Sequence, residues 1–354
     1  MNDNTEYFTG MTHVVSAGNP VMKLSIIIVE YKTPQLLFNC LESLYRFPVT
    51  DTEVIVVDNF SQDDVEAQLS LRFPQVTFIQ MGYNAGFARA NNAGIKLAQG
   101  ELVLLLNSDT IVIDDAVNRC ADMLLASNHV ACGVQLLNED GSPQISGNFA
   151  MKGGLNYLLP LPYMGAALRK LAFAIHMKRP SLPDIKDNLE VDWVNGAFLM
   201  VKKSAIEKAG MLDEDFFLYS EEAEWCSRLK KVGSICIFGP LHVYHLQGVS
   251  ANEAFASEGK GYFNLFDKKG FQIMLSMFLR IRKQFGLFWF FFMLTMHLFA
   301  IPIFFLGLFV DTIFRPKNKM YNLGQWMGFT KNCFSLLTFS GRIILNRPYF
   351  YKVL

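Results

Sequence analysis

The chain has 354 residues, 51% of them hydrophobic, and its 32 basic and 32 acidic side chains cancel to a formal charge of zero. That balance excludes a nucleic-acid binder relying on a basic surface, and the length predicts one α/β domain with an appendage. The six cysteines (Cys40, Cys120, Cys132, Cys226, Cys236 and Cys333) are scattered without zinc-type spacing, the pattern of a reduced, cytosolic chain.

Residues 1–21 are polar and lack an apolar core, so they read as a disordered, dispensable extension with no secretory leader, and Met22-Lys23 resembles a true start. Residues 24–29 form a short apolar run ending at Glu30, and Pro34 opens a helical pattern to about Phe47. Residues 53–57 make a second buried strand that ends at Asp58-Asn59, followed by a helix over 63–72 and a third strand over 76–80. A glycine-rich turn, Gly82 to Phe87, leads into a helix reaching Gln99, and residues 102–106 form the fourth strand. Continuous apolar runs of this length mark strands buried on both faces of a parallel sheet. Residues 130–137 add a strand, and residues 142–190, with five prolines, read as a partly helical insertion over the cleft. Residues 191–201 form one strand with Gly196 inside it, where a backbone or ligand approaches closely. A last strand over 234–238 precedes His242 and His245.

Three strand ends carry a carboxylate: Glu30, Asp58 and, after Asn107-Ser108, Asp109. In open α/β sheets ligands bind outside the carboxyl ends of the strands. Asp109 is a hard oxygen ligand suited to Mg²⁺ or Mn²⁺ carrying a diphosphate, although Asn-Ser-Asp also suits a plain turn. Neither a Gly-x-Gly-x-x-Gly after the first strand nor a Gly-x-x-x-x-Gly-Lys loop is present, which counts against dehydrogenases and P-loop enzymes. Six carboxylates crowd residues 213–224, interleaved with Phe216, Phe217 and Tyr219. Ser220 reads as an N-cap with Glu221, Glu222 and Glu224 in the first helical turn. Helix stabilisation alone accounts for them; a cleft wall holding an ionised general base is the other reading. Trp193 suits either stacking on a sugar or the core. His245 suits either a structural role or a metal site shared with Asp109.

Together, Ser25-Ile-Ile-Ile-Val-Glu-Tyr, Val54-Ile-Val-Val-Asp-Asn, Asn84-Ala-Gly-Phe-Ala-Arg, Leu104-Leu-Leu-Asn-Ser-Asp, Asp192-Trp-Val-Asn-Gly-Ala and Phe216-Phe-Leu-Tyr-Ser-Glu-Glu resemble glycosyltransferase family 2. These are inverting enzymes of the GT-A fold, and the resemblance is strongest to the rhamnosyltransferase-like branch. It covers about residues 23–250 and implies a Rossmann-like, mostly parallel sheet flanked by helices. It also implies roles. Asp58 would bind the donor's base, with Glu30 nearby where the family commonly has Asn. Asn84, Gly86 and Arg89 would line the nucleotide-sugar pocket, and Arg89 would help stabilise the leaving diphosphate. Asp109 would hold the divalent metal, with Asn107 standing for the first Asp of Asp-x-Asp and His245 approaching the metal. Trp193, Asn195 and Gly196 would border the acceptor. Glu222 would be the catalytic base in a Glu221-Glu222 pair where the family usually ends in Asp, with Glu221 or Glu224 as substitutes.

Residues 285–310 are apolar except for Thr295 and His297. As a helix they would reach about 39 Å at about 1.5 Å per residue, enough for a hydrocarbon core of about 30 Å. Basic residues flank the run on both sides, and no acidic residue follows Asp311. A single crossing would export a basic tail against the positive-inside tendency. The reading therefore leans to a re-entrant hairpin kinked at Pro302, with residues 327–345 along the interface.

The division expected is an extension (1–21), a GT-A domain (22–255) and a membrane-associated helical region (256–354). The activity expected is sugar transfer from a nucleotide-sugar donor, dTDP-rhamnose among the candidates, to a lipid-linked or polysaccharide acceptor. The place expected is the cytoplasmic face of a bacterial inner membrane. A nucleotidyltransferase and an inactive nucleotide-sugar binder are the competing classes. The former would show a Gly-rich basic loop where Val29-Glu-Tyr-Lys-Thr-Pro stands.

Overall fold

The structure, a computed structural model, describes residues 22–47, 50–61, 64–174, 181–182, 184–246, 255, 257, 264–315 and 320–354. The extension over residues 1–21 lies outside the described residues. The first half alternates strand and helix: β1 (Leu24–Glu30), α1 (Pro34–Leu44), β2 (Thr52–Asp58), α2 (Val65–Arg72), β3 (Thr77–Gln80), α3 (Gly86–Leu97) and β4 (Leu102–Asn107). The strands β1, β2, β3 and β4 pair in parallel, with Glu30 level with Asp58 and Val29 level with Asn107. Successive side chains feed opposite faces, as the two-residue period of a strand requires. Ile26, Ile28, Val54 and Leu104 enter one core, while Ile27, Ile55, Val57 and Leu105 enter the other. Burial on both faces is why these strands read as unbroken apolar runs.

The chain continues through β5 (Thr110–Val112), α4 (Ala116–Leu125), β6 (Ala131–Leu137), β7 (Gly147–Asn148), a 3₁₀ turn (Lys152–Leu158), α5 (Met164–Ala174), β8 (Ser181–Leu182) and β9 (Asn188–Val191). Then come β10 (Trp193–Val194), β11 (Phe198–Lys202), α6 (Lys203–Ala209), α7 (Glu221–Leu229) and β12 (Ile235–His245). The main sheet runs β3-β2-β1-β4-β11-β6-β12-β5, with β9 also on β12, and β10, β7 and β8 form a small second sheet. Its core is parallel, and β11, β9 and β5 insert antiparallel.

Two expectations are corrected here. Residues 191–201 are not one strand. The Asn195 Oδ1 accepts the Ala197 N–H at 2.9 Å, closing a turn that separates β10 in the small sheet from β11 in the large one. The last strand does not stop at Phe238. It passes through a register shift and continues to His245, so both histidines lie within it.

Three long helices follow: α8 (Lys268–Phe285), α9 (Leu287–Phe314) and α10 (Leu323–Ile344). They build a third core with Leu158, Leu161 and Phe216 of the preceding domain. The hairpin expected at Pro302 does not form. α9 continues unbroken through Pro302, which sits on its exposed side, while a stripe from Phe290 to Asp311 anchors the opposite side. After α10 the chain returns to the first domain, where Tyr351 N–H bonds Asp215 O at 3.0 Å and Lys352 Nζ bonds Asn84 O at 3.0 Å.

Gly86 (φ +72°) and Gly82 (φ +72°) share a left-handed backbone, but only Gly86 is crowded: a Cβ there would lie 2.2 Å from Phe217 O. Gly82→Ala should destabilise the protein by roughly 1–2 kcal/mol from backbone strain, whereas Gly86→Ala should cost clearly more. Urea midpoints of the two variants measure the difference.

Candidate active site

The pairing of β12 with β5 sets the first feature. Its register puts His245 opposite Thr110, one residue beyond Asp109. The His245 Nε2 therefore comes to 3.3 Å from Asp109 Oδ1 and 3.5 Å from Asn107 Nδ2, and both His245 and Asp109 are buried. On the other side of the ring, Nδ1 lies 3.0 Å from Gln144 Oε1. The Gln144 Nε2 donates to His245 O at 2.6 Å, so its Oε1 is turned to accept the Nδ1 proton. That leaves the Nε2 lone pair directed between Asp109 and the Asn107 amide, the arrangement by which outer hydrogen bonds orient a metal-ligating imidazole. A carboxylate oxygen and an imidazole nitrogen on one spot fit Mn²⁺ or Mg²⁺. Among the described residues no cluster of three His, Cys, Asp or Glu side chains forms, so the remaining positions would fall to water and the ligand's own oxygens.

The donor-side residues divide. Asp58 is buried and accepts the Ser61 N–H at 2.9 Å and a bond from Gln80 Nε2, which fixes its carboxylate at the end of β2. Asn84 Oδ1 accepts from Gly86 N–H and Asn59 Nδ2, each at 3.2 Å, and shapes the turn into α3. Glu30 is fully buried, and its carboxylate accepts the Thr33 N–H at 2.5 Å and the Ser61 hydroxyl, tying the loop after β1 to the loop after β2. Arg89 Nε donates to Glu214 O at 3.0 Å and its guanidinium lies 3.9 Å over the Phe350 ring, which ties it to the chain's C-terminal segment.

The acidic helix start is not a solvated face: Glu221, Glu222 and Glu224 are all buried. Ser220 stands at the N-cap position as expected but does not cap with its side chain: Tyr219 (φ +71°) and Ser220 (φ +69°) are both left-handed, and the Ser220 hydroxyl makes no cap bond. Two consecutive non-glycine residues in that region store strain of the kind found at functional sites. They swing Glu221 and Glu222 inward, where both are buried. The Glu222 Oε1 accepts the Trp193 indole N–H at 3.3 Å. Glu224 is excluded from proton transfer by a two-pronged pairing with Arg228 at 2.8–3.0 Å.

Burial raises the Glu222 pKa above the usual carboxylate value, and the Arg280 charge and the Trp193 hydrogen bond pull it back down. Burial and the neighbouring Glu222 charge push Glu221 well up, and its Oε2 has no hydrogen-bond partner. Burial raises the pKa of both these adjacent carboxyls, which cannot both ionise cheaply, and it holds the proton more tightly on Glu221 than on Glu222.

The turn 195–197 joins the two features. Ala197 O accepts the Asn107 N–H at 3.0 Å, beside the Asp109–His245 pair. A Cβ on Gly196 would lie 3.5 Å from Glu222 and 3.6 Å from Phe87. Asn195 anchors the turn through Ser146 O at 2.9 Å and its own side chain. On the other flank, Phe87 N–H bonds Phe217 O at 2.8 Å, so the turn before α3 meets the segment leading to α7. The turn 195–197 thus connects Asn107, Asp109 and His245 on one side with Gly196, Trp193 and Glu222 on the other. Sequence reading missed Gln144, Tyr157 and Arg280. Arg280 comes from α8, is nine-tenths buried, donates to Tyr157 OH at 2.5 Å and makes its charge felt at Glu222. Only long-range packing brings these three to the site.

Residues 25–180 match the family model for glycosyl transferase family 2. The chain carries a glycosyltransferase family 2 domain. With its mostly parallel sheet and flanking helices, the domain is GT-A like. It is similar to the low-salt glycan biosynthesis hexosyltransferase Agl10 of Haloferax volcanii, 30% identical over 62% of this chain and 66% of that protein. It is also similar to the poly-beta-1,6-N-acetyl-D-glucosamine synthase of Staphylococcus epidermidis, 22% identical over 62% of this chain and 48% of the relative. A third relative is the N-acetylglucosaminyl-diphospho-decaprenol L-rhamnosyltransferase of Mycobacterium tuberculosis, 25% identical over 61% of this chain and 73% of the relative. The chain thus spans just under two thirds of the first of these and about half of the second.

Arg280→Gln removes a positive charge that lowers the Glu222 pKa. With Glu222 in the role of a base, which works only when deprotonated, the acid limb of the pH–rate profile should move to higher pH while the plateau above it keeps its height. No shift, or a shift to lower pH, would show that the Arg280 charge does not reach a base at Glu222.

Proposed function

We propose that the protein transfers a single sugar from a nucleotide-sugar donor to a hydroxyl of a lipid-linked or polysaccharide acceptor, with inversion at the anomeric carbon. The observation that carries this reading is Glu222: a buried carboxylate that accepts the Trp193 indole N–H and lies beside Gly196, in the turn that also bonds the Asn107 N–H next to the Asp109–His245 pair. The relatives' names supply the substrate classes: a hexosyltransferase, a polysaccharide synthase and a rhamnosyltransferase acting on a diphospho-polyprenol. A dTDP-deoxysugar such as dTDP-rhamnose is the first donor to test.

In the reaction, the acceptor hydroxyl oxygen attacks the anomeric carbon from the face opposite the diphosphate. Glu222 takes the hydroxyl proton as the new C–O bond forms. The bond to the diphosphate breaks, and the nucleoside diphosphate departs with the electron pair. Asp109 and His245 would hold a Mg²⁺ or Mn²⁺ ion, which when bound neutralises charge on the diphosphate. Asp58 and the Asn84–Gly86 turn contribute the donor wall, and Trp193, Asn195 and Gly196 border the acceptor.

The exposed apolar side of α9 supports association with a membrane, which would bring the cleft to a lipid-linked acceptor. Nucleotide sugars are cytosolic, so the cytoplasmic face of a bacterial inner membrane is the site we propose.

Glu222→Gln should lower transfer by roughly 10²–10⁴-fold while leaving donor binding intact. A donor panel run with and without Mn²⁺ or Mg²⁺, on wild type and Asp109→Ala, should give metal-dependent turnover of one donor that Asp109→Ala abolishes. Near wild-type transfer by Glu222→Gln would remove that residue from the base role.

A further inference from the structure

α9 is 28 residues long, and its two sides differ throughout. One side carries the buried stripe Phe290, Met293, His297, Ala300, Phe304 and Leu308, spaced by three or four residues. The opposite side exposes Phe288, Phe291, Phe299, Leu306, Phe309 and Ile313, each about half exposed or more. Exposed apolar faces of that size mark an interaction surface.

What lies under the buried side fixes how the helix can meet a bilayer. Near its start, Trp289 packs so tightly on Gly153 that a Cβ there would lie 2.1 Å from the indole. Near its end, Gly307 lies as close to the Tyr163 ring, and Tyr163 OH donates to Asp311 at 2.7 Å. Positions 289 and 311 are about 33 Å apart along the helix at about 1.5 Å per residue. Both ends therefore rest on one segment, 153–163, and that segment belongs to the catalytic domain. Ala150 N–H bonds Asp192 at 2.8 Å, and Asn148 pairs with Trp193. Between α9 and the domain lies α8, fastened by Ser276 to Leu218 O at 2.7 Å and by Lys283 to Asp215 at 2.6 Å and to Asp213.

If α9 stood across the membrane, the 3₁₀ turn Lys152–Leu158 and the Lys283–Asp213–Asp215 ion group would enter the hydrocarbon with it. Irregular backbone and charge at that depth are strongly disfavoured.

We propose that α9 lies in the plane of the membrane, seating its outer face in one leaflet of an anionic phospholipid bilayer without crossing it. This inference rests on the membrane association proposed above. The charge of the flanking chain selects an anionic surface: no acidic residue follows Asp311, and Arg315, Lys331, Arg342 and Arg347 are all exposed. An in-plane helix needs only one apolar face, and one apolar face is what the fold leaves open.

The test uses the full-length protein and vesicles of phosphatidylcholine with or without phosphatidylglycerol. All six native cysteines are buried, so single cysteines placed at Leu287, Thr295 and Arg315 can be labelled selectively. Fluorophores at the three sites should show equal, shallow quenching by spin-labelled lipids. The two end sites should both react with an impermeant thiol reagent added to the same side of sealed vesicles. Binding should need phosphatidylglycerol, and Phe288→Ser with Phe309→Ser should weaken it at least about tenfold. Deep quenching at Thr295→Cys, with the ends on opposite sides, would overturn the in-plane placement while leaving membrane association standing. No vesicle binding, with a dimer in solution that protects these cysteines, would overturn both and assign the face to a second copy.

Discussion

The main chain of Phe217 presses against Gly86, and much of the site depends on that contact. Only a residue without a Cβ admits the Phe217 carbonyl there, and the Phe87 N–H then bonds it at 2.8 Å. This joins the turn before α3 to the segment that leads, through two left-handed residues, to Glu221 and Glu222. The Phe217 ring also meets Phe350 at 5.6 Å and lies 5.1 Å from Lys352 Nζ, so the chain's last residues close over the same point. Donor turn, base helix and C-terminal segment are therefore one packed unit.

The active-site carboxylates show how environment separates identical groups. Glu221, Glu222 and Glu224 share one helical turn, yet each has a different fate. Glu224 is paired with Arg228, Glu221 leaves its Oε2 without a hydrogen bond and has its pKa pushed well up by burial, and Glu222 receives the Trp193 hydrogen bond and the Arg280 charge. Arg280 stands on α8, the layer between the domain and α9. The helices that would meet the membrane thus also tune the group that would take the acceptor's proton.

The parallel strands were legible because burial on both faces leaves a continuous apolar run, and the strand-end carboxylates Asp58 and Asp109 stand where that pattern places them. The pairing of Asp109 with His245 was legible only as one option, because the register of β12 on β5 decides it. Ser220 looked like a cap because its residue type suits one, but the left-handed backbone turns its hydroxyl toward Tyr157 instead. Glu30 and Arg89 sat in motif positions, and the structure pairs the first with Thr33 and Ser61 and the second with Glu214 and Phe350. Those partners lie tens to hundreds of residues away or, for Thr33, depend on the local turn, and neither is visible in spacing. α9 carried the strongest signal of all, hydrophobicity, but hydrophobicity alone does not say whether a helix crosses a bilayer or rests on it.

The most direct measurement of the central claim, a single displacement driven by Glu222, is the anomeric configuration of the product. It is read by proton NMR on the isolated glycoside made from a donor of known configuration. Inversion is the expected result, because in the proposed mechanism Glu222 would activate the acceptor hydroxyl on the face opposite the leaving diphosphate. Retention would contradict the single displacement and would require a different role for Glu222.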